Sequence, residues 1–147
     1  MHGYVLLLHV LGATIWTGGH LVLAIAVLPG VMRARSPEAL RAFESAYEKI
    51  GMPALLVQIV TGLWLAYRLV PDVRAWFAAD DFLSRVILVK LALLAATVLV
   101  AADARLRIIP HLSPQTLPAM ARRIVTVTVL AVLFVATGVT FRTGSLL

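Results

Sequence analysis

Apolar residues gather in four long runs, Gly3 to Leu28, Pro53 to Val70, Phe82 to Ile108 and Ala119 to Phe141, with polar stretches between them. Each run is close to the ~20 residues that carry a helix across the hydrocarbon core of a bilayer. The pattern predicts an all-α, integral membrane four-helix bundle that forms one domain over residues 1–147, with no separate soluble part.

The first connection adds a further element. Ser36-Pro37-Glu38 places a capping serine before a proline at the first helical position, and Leu40, Phe43, Tyr47 and Ile50 then recur at helical spacing. This predicts a short amphipathic helix at the membrane surface between spans 1 and 2. Gly51-Met52-Pro53 is expected to break it or bend it into the second span. In the second connection, Trp76 and Phe77 suit the membrane interface, and Asp80 and Asp81 suit the start of the third helix. Pro110, Pro114 and Pro118 make the third connection a non-helical link.

Composition agrees with the membrane reading: 61% of residues are hydrophobic and 14% charged, against about 25% charged in soluble domains. Met1 to Tyr4 carries no Lys or Arg and a long apolar run follows, so the first span is expected to be retained and not cleaved as a signal peptide. The net charge of +6 sits beside the apolar runs and forms no aromatic-interleaved basic stripe, which argues against a nucleic-acid partner. The absence of cysteine removes disulfides, thiolate metal sites and cysteine nucleophiles. No Gly-x-Ser-x-Gly, phosphate-loop or His-Glu-x-x-His motif is present.

Arg33, Arg35, Arg41 and Lys49 flank the first connection, and Arg105, Arg107, Arg122 and Arg123 flank the third. The opposite side has Arg68, Arg74, Arg85 and Arg142 at its helix ends. The positive-inside rule then puts connections one and three in the cytoplasm and both termini outside.

An ionisable group that lipid should reject marks a functional position unless it finds a partner inside the bundle. His9, His20, Lys90 and Asp103 are such groups, with Gln58 as a neutral companion. His9 and His20 are eleven residues apart, which returns to within roughly 20° of the same helix face about 16 Å along the axis. Trp16 shares the stripe, and Gly12, Gly18 and Gly19 allow a backbone or a flat cofactor to come close. Lys90 falls at a depth similar to His9, where it can pair with a cofactor carboxylate, and Arg142 can complete a cationic rim. Asp103 and Arg107 have the spacing of a local salt bridge, and Gln58 falls in the half where it could bond His20. Met32, Met52, Met120 and His111 gather towards the cytoplasmic side, where thioether and imidazole would suit Cu(I).

The run His9-Val10-Leu11-Gly12-Ala13-Thr14-Ile15-Trp16-Thr17-Gly18-Gly19-His20, with Leu28-Pro29, Thr61-Gly62-Leu63-Trp64 and Lys90-Leu91, resembles the copper-resistance protein D (CopD) family, in its short four-helix form. That resemblance implies a bacterial cytoplasmic-membrane protein linked to copper uptake, transfer or tolerance; a copper route through His9 and His20 would need further ligands, from a second subunit or a periplasmic copper carrier. The chain is also similar to HemJ-type protoporphyrinogen oxidases, four-helix proteins that bind b-type haem. Their first-helix His ligand seven residues before a Trp, and their required third-helix Lys, match His9, Trp16 and Lys90. Their late third-helix His has no counterpart in Ala101-Ala102-Asp103.

Three functions remain open on these residues. In the first, which the family resemblance favours, His9 and His20 are metal ligands for copper in a non-enzymatic protein with no catalytic residue. In the second, b-type haem is bound by His9, His20 or both, with Trp16, Lys90 and Arg142 around it, in a redox protein or oxidase. In the third, the bundle is a structural subunit. Small residues at Gly12, Gly18, Gly19, Ala95, Ala96 and Gly138 would permit a homodimer in the lipid bilayer.

Overall fold

The computed structural model describes residues 2–144, apart from the side chain of Arg142. Four helices are long and apolar enough to cross a membrane: α1 (His2–Ala34), α2 (Pro37–Leu69), α4 (Phe82–His111) and a fourth that begins at Leu117. This last helix, α5, runs over Leu117–Thr143. A single turn, α3 (Ala75–Ala78), lies between α2 and α4. The chain is a multi-pass, all-α membrane bundle.

Two helices carry the same local distortion for the same reason. Leu23–Val27 in α1 and Ala104–Ile108 in α4 are π-helical, closed by Leu28 N–H to Leu23 O and Ile109 N–H to Ala104 O. The residue after each closing bond is a proline, Pro29 or Pro110. A proline has no N–H and its ring collides with the carbonyl four residues back, and a widened turn relieves both. The helix therefore continues where a strict α-helix would break, and α1 extends beyond the expected end at Leu28.

Ser36 caps α2 as expected, with its side chain accepting from the Ala39 N–H at 3.3 Å. The amphipathic stretch after it is helical and buries Leu40 completely, but it does not stop at Gly51-Met52-Pro53. Pro53 lies inside one continuous helix. Gly51 makes room for the Tyr47 ring, which a Cβ there would approach to 2.9 Å, so it acts as a packing position and not as a break. In the second connection Phe77 is exposed, whereas Trp76 is buried and donates its indole N–H to Val70 O at 2.8 Å. Asp81 caps α4 by accepting from the Ser84 N–H and hydroxyl at 3.0 and 2.7 Å.

α1 packs along α2, α4 packs along α5, and α1 meets α5, while no comparable packing joins α2 to α4. The buried apolar core is lopsided. Its main cluster, including Leu23, Leu28, Val31, Leu40, Ile108 and Leu117, lies at the basic end, which holds connections one and three. A second cluster of Trp16, Val127 and Ala131 sits nearer mid-span. The half of the bundle towards the termini is occupied by a cavity.

Candidate functional site

Two cavities follow one another along the bundle. The larger, about 700 Å³, is lined by residues of the terminal half including His9, Gln58, Gly62, Lys90, Phe134 and Gly138. The smaller, about 130 Å³, lies at the basic end and is lined by His20, Glu44, Tyr47, Met52, Met120 and Arg123 among others. Trp16 borders both and is 7% exposed, so its indole is the partition between them.

His9 is oriented from α2. Its Nδ1 is 3.0 Å from Gln58 O and 3.0 Å from Thr61 Oγ1. A carbonyl oxygen can only accept, and the Thr61 hydroxyl already donates to Val57 O, so Nδ1 carries the proton and donates to both. Nε2 is left with its lone pair and no hydrogen bond among the described residues. This is the tautomer of a metal-binding imidazole whose other nitrogen is tied to a carbonyl. Gln58, Thr61 and Gly62 share one face of α2, and Gly62 supplies the space for the ring: a Cβ there would stand 3.0 Å from His9 Cε1. Gly12 lets the helices approach at this level, where a Cβ would stand 2.8 Å from Ala54 O.

Lys90 reaches the same cavity from α4. Its Nζ lies over the rings of Phe134 at 5.0 Å and Phe141 at 5.5 Å, contacts in which the ring quadrupole attracts the cation. Gly138 clears its path, since a Cβ there would stand 3.3 Å from Nζ. Neither Asp nor Glu lines this cavity among the described residues. Gln58, 7% exposed, has a side-chain carbonyl oxygen that is buried and unpartnered.

His20 faces the other cavity. Its Nδ1 donates to Trp16 O at 2.9 Å, its ring lies 4.4 Å from that of Trp16, and Tyr47 meets it edge-on at 5.6 Å. The Tyr47 hydroxyl donates to Trp16 O at 3.0 Å and Ile15 O at 3.1 Å, which ties α2 to α1. The expected proximity of Gln58 to His20 is therefore not found: continuous α2 carries Gln58 to the level of His9. His9 and His20 share a helix face, but they serve separate cavities. Of the sulfur and imidazole group at the basic end, Met52 and Met120 line the small cavity with His20, but Met52 is 54% exposed and Met120 belongs to the main cluster, against which Met32 also packs; His111 is exposed. The side chain of Arg142 lies outside the described residues.

Asp103 does pair with Arg107, at 3.6 Å, but its closer partner is Arg123 of α5, at 2.8 Å. Arg105 pairs with Glu48 across α4 and α2 at 2.7 Å. Sequence reasoning paired Arg107 with Asp103 but assigned Arg105 and Arg123 to topology alone. Three of the glycines that would permit a homodimer are used within the chain: Gly12 and Gly19 admit α2, and Gly138 admits Lys90.

These features define a multi-pass helical membrane protein with two internal cavities. The family model described as copper resistance protein D matches residues 37–141, well over half of the chain, and the protein belongs to that family. Lys90 lies inside the matched segment; His9, Trp16 and His20 precede it. No curated protein and no solved structure matches the chain. The family description points to copper. Among the described residues no group of three or more His, Cys, Asp or Glu could hold a metal ion. The large cavity, with one imidazole at depth and no thioether, does not suit a bare copper ion. The small cavity offers softer donors in His20, Met52 and Met120.

Proposed function

We propose that this CopD-family protein carries a metal centre within the membrane, in the large cavity, with His9 as metal ligand and Lys90 as counter-charge to an acidic group of the same molecule. The observation that carries the reading is the bonding of His9, which commits Nδ1 to α2 and leaves Nε2 unbonded in a residue lining an apolar chamber. Chamber size selects the kind of group. Its volume of about 700 Å³ falls in the ~300–1,000 Å³ range of sites for whole organic ligands, and a single ion would leave it empty.

A b-type haem suits the residues present: iron accepts imidazole, the ring matches apolar and aromatic walls, and its carboxylates match a lone ammonium. Bound there, haem would supply one-electron redox chemistry. The chain would orient it through His9, balance its charge at Lys90 and exclude water with leucine and phenylalanine side chains. The similarity to HemJ-type proteins supports this reading and makes porphyrinogen oxidation the activity to assay. By the positive-inside rule the site lies in the outer half of a bacterial cytoplasmic membrane.

A second reading, copper-ion handling, is favoured by the family description and by His20, Met52 and Met120 sharing the lining of the small cavity. Copper would then be cargo, taken as Cu(I) by thioether and imidazole. One experiment separates the two. The protein is purified in mild detergent from cells supplied with copper and a haem precursor, and oxidised and reduced spectra are recorded beside metal analysis. The haem reading expects a Soret band that His9→Ala abolishes and His20→Ala retains. Stoichiometric copper without a Soret band, lost in His20→Ala or Met120→Leu, would replace it with the copper reading; neither signal would leave a structural subunit.

A further inference from the structure

The seam between α1 and α5 is closed in one half of the bundle and open in the other. Near mid-span Trp16 packs with Val127 and Ala131, and the Thr128 hydroxyl donates to His20 O at 3.2 Å. Seven and eleven residues beyond Thr128, on the same stripe of α5, come Val135 and Val139. Seven and eleven residues before the buried Thr17, on the matching stripe of α1, come Val10 and Leu6. Helical geometry keeps each set on one face, so tightly packed helices would bury all four. Instead they are 45% (Leu6), 51% (Val10), 42% (Val135) and 48% (Val139) exposed, and all four line the large cavity. The cavity wall is continuous there with the surface that meets lipid.

We infer that the large cavity is loaded sideways from the bilayer, through this α1–α5 opening, by an apolar molecule carrying a carboxylate that comes to rest at Lys90. Every side chain named at the opening is aliphatic, so an apolar body crosses it without losing hydration, whereas a small hydrated anion would be stripped of water. Inside, Lys90 lies against aromatic faces and, among the described residues, no carboxylate lines the cavity, which leaves one positive charge to be matched by the ligand. The buried, unpartnered oxygen of Gln58 is an acceptor in the same wall. The inference rests on the reading of this cavity as a ligand site and is independent of the metal.

The test uses the full chain, made without added haem precursor and reconstituted in phosphatidylcholine vesicles, with a diazirine-bearing long-chain fatty acid as probe. Adducts are mapped by peptide mass spectrometry. Saturable labelling of cavity residues is expected, competed by unlabelled fatty acid and reduced at least tenfold in Lys90→Met. Because the chain has no cysteine, Val10→Cys/Val135→Cys can be bridged with a cleavable bis-maleimide. Bridging should slow labelling at least tenfold and cleavage should restore it; the same variant before bridging serves as its folding control. Unchanged labelling after bridging would overturn entry between α1 and α5, leaving the unpacked α2–α4 seam as the way in and the site intact. Absence of saturable, Lys90-dependent labelling in the unmodified chain would overturn the ligand class, whatever the His9 spectrum shows. A missing Soret band with the labelling pattern intact would sink the haem reading alone.

Discussion

The ring of His9 occupies space that Gly62 leaves free: a Cβ on Gly62 would stand 3.0 Å from His9 Cε1, closer than side chains normally pack. The imidazole is held from behind by two hydrogen bonds of 3.0 Å, so it can yield only by lengthening them. Gly62→Ala is expected to weaken haemin binding about tenfold, roughly 1.4 kcal/mol, and Gly62→Leu to abolish the Soret band. Haemin titration followed by absorbance reads both; unchanged affinity in Gly62→Leu would remove His9 from the site.

Two adjacent glycines should behave in opposite ways. A Cβ on Gly19 would overlap the Tyr47 ring, whereas one on Gly18 meets nothing within 4 Å. Gly19→Ala must displace a ring whose hydroxyl bridges to Ile15 and Trp16, and overpacking of this kind costs about 1–3 kcal/mol. Gly18→Ala should be neutral or slightly stabilising through its better helix propensity. Thermal unfolding in one detergent compares them directly, and equal midpoints would contradict the Tyr47 packing.

Asp103 gives a graded test of ion pairing. Its bond to Arg123 is short and partly shielded, whereas Arg107 is 3.6 Å away with a side chain 82% exposed. Arg123→Ala is expected to lower stability by about 1–3 kcal/mol, because it strands a half-buried carboxylate. Arg107→Ala should stay within about 0.5 kcal/mol. A double-mutant cycle with Asp103→Asn should place the coupling on Arg123.

The start of α4 should be acid-sensitive. The Ser84 N–H and hydroxyl hold the Asp81 carboxyl below its ordinary value, with a smaller contribution from Arg85. A folded-state value depressed in this way adds stability above the ordinary carboxylate pKa of about 3.9, and that stability is lost as pH falls through the folded value. Unfolding of the parent protein should become easier below about pH 4, and Asp81→Asn should remove that part of the pH dependence. An identical pH profile for both proteins would refute the cap as its source.

The four spans were legible because lipid imposes one rule on every residue of a spanning segment, and apolar run length reports it directly. Of the two outcomes expected at Pro53, the break is not found and the helix runs on into the second span. The continuation of the helices past the apolar runs ending at Leu28 and Ile108 was not legible, because proline's local cost is visible in a sequence and its relief is not. At Pro29 and Pro110 a widened turn supplies that relief; at Pro53 the flanking helix packs along α1 and continues. Around the site, periodicity put His9 and His20 on one face, but it carries no information about a partition, and Trp16 is the partition. The link from His9 to Gln58 and Thr61 depends on the register of α2 against α1. Gln58, Thr61 and Gly62 stand at the i, i+3 and i+4 spacing of one helix face, the signal in the sequence that could have pointed to such a link. Arg123 was hidden among basic residues that serve topology, since only packing reveals which of them meets a carboxylate.

The lopsided core has a mechanical consequence. With buried side chains concentrated at the basic end and no strong packing between α2 and α4, the α1–α2 and α4–α5 hairpins form the two arms of a clothes-peg whose spring is the Leu40 and Leu117 cluster. At 1.5 Å per residue, the arms extend roughly 30 Å from that pivot, so a tilt of about 5° moves their tips by roughly 3 Å. Such a tilt would be felt first where the two arms touch beyond the spring, at Trp16 against Val127 and Ala131.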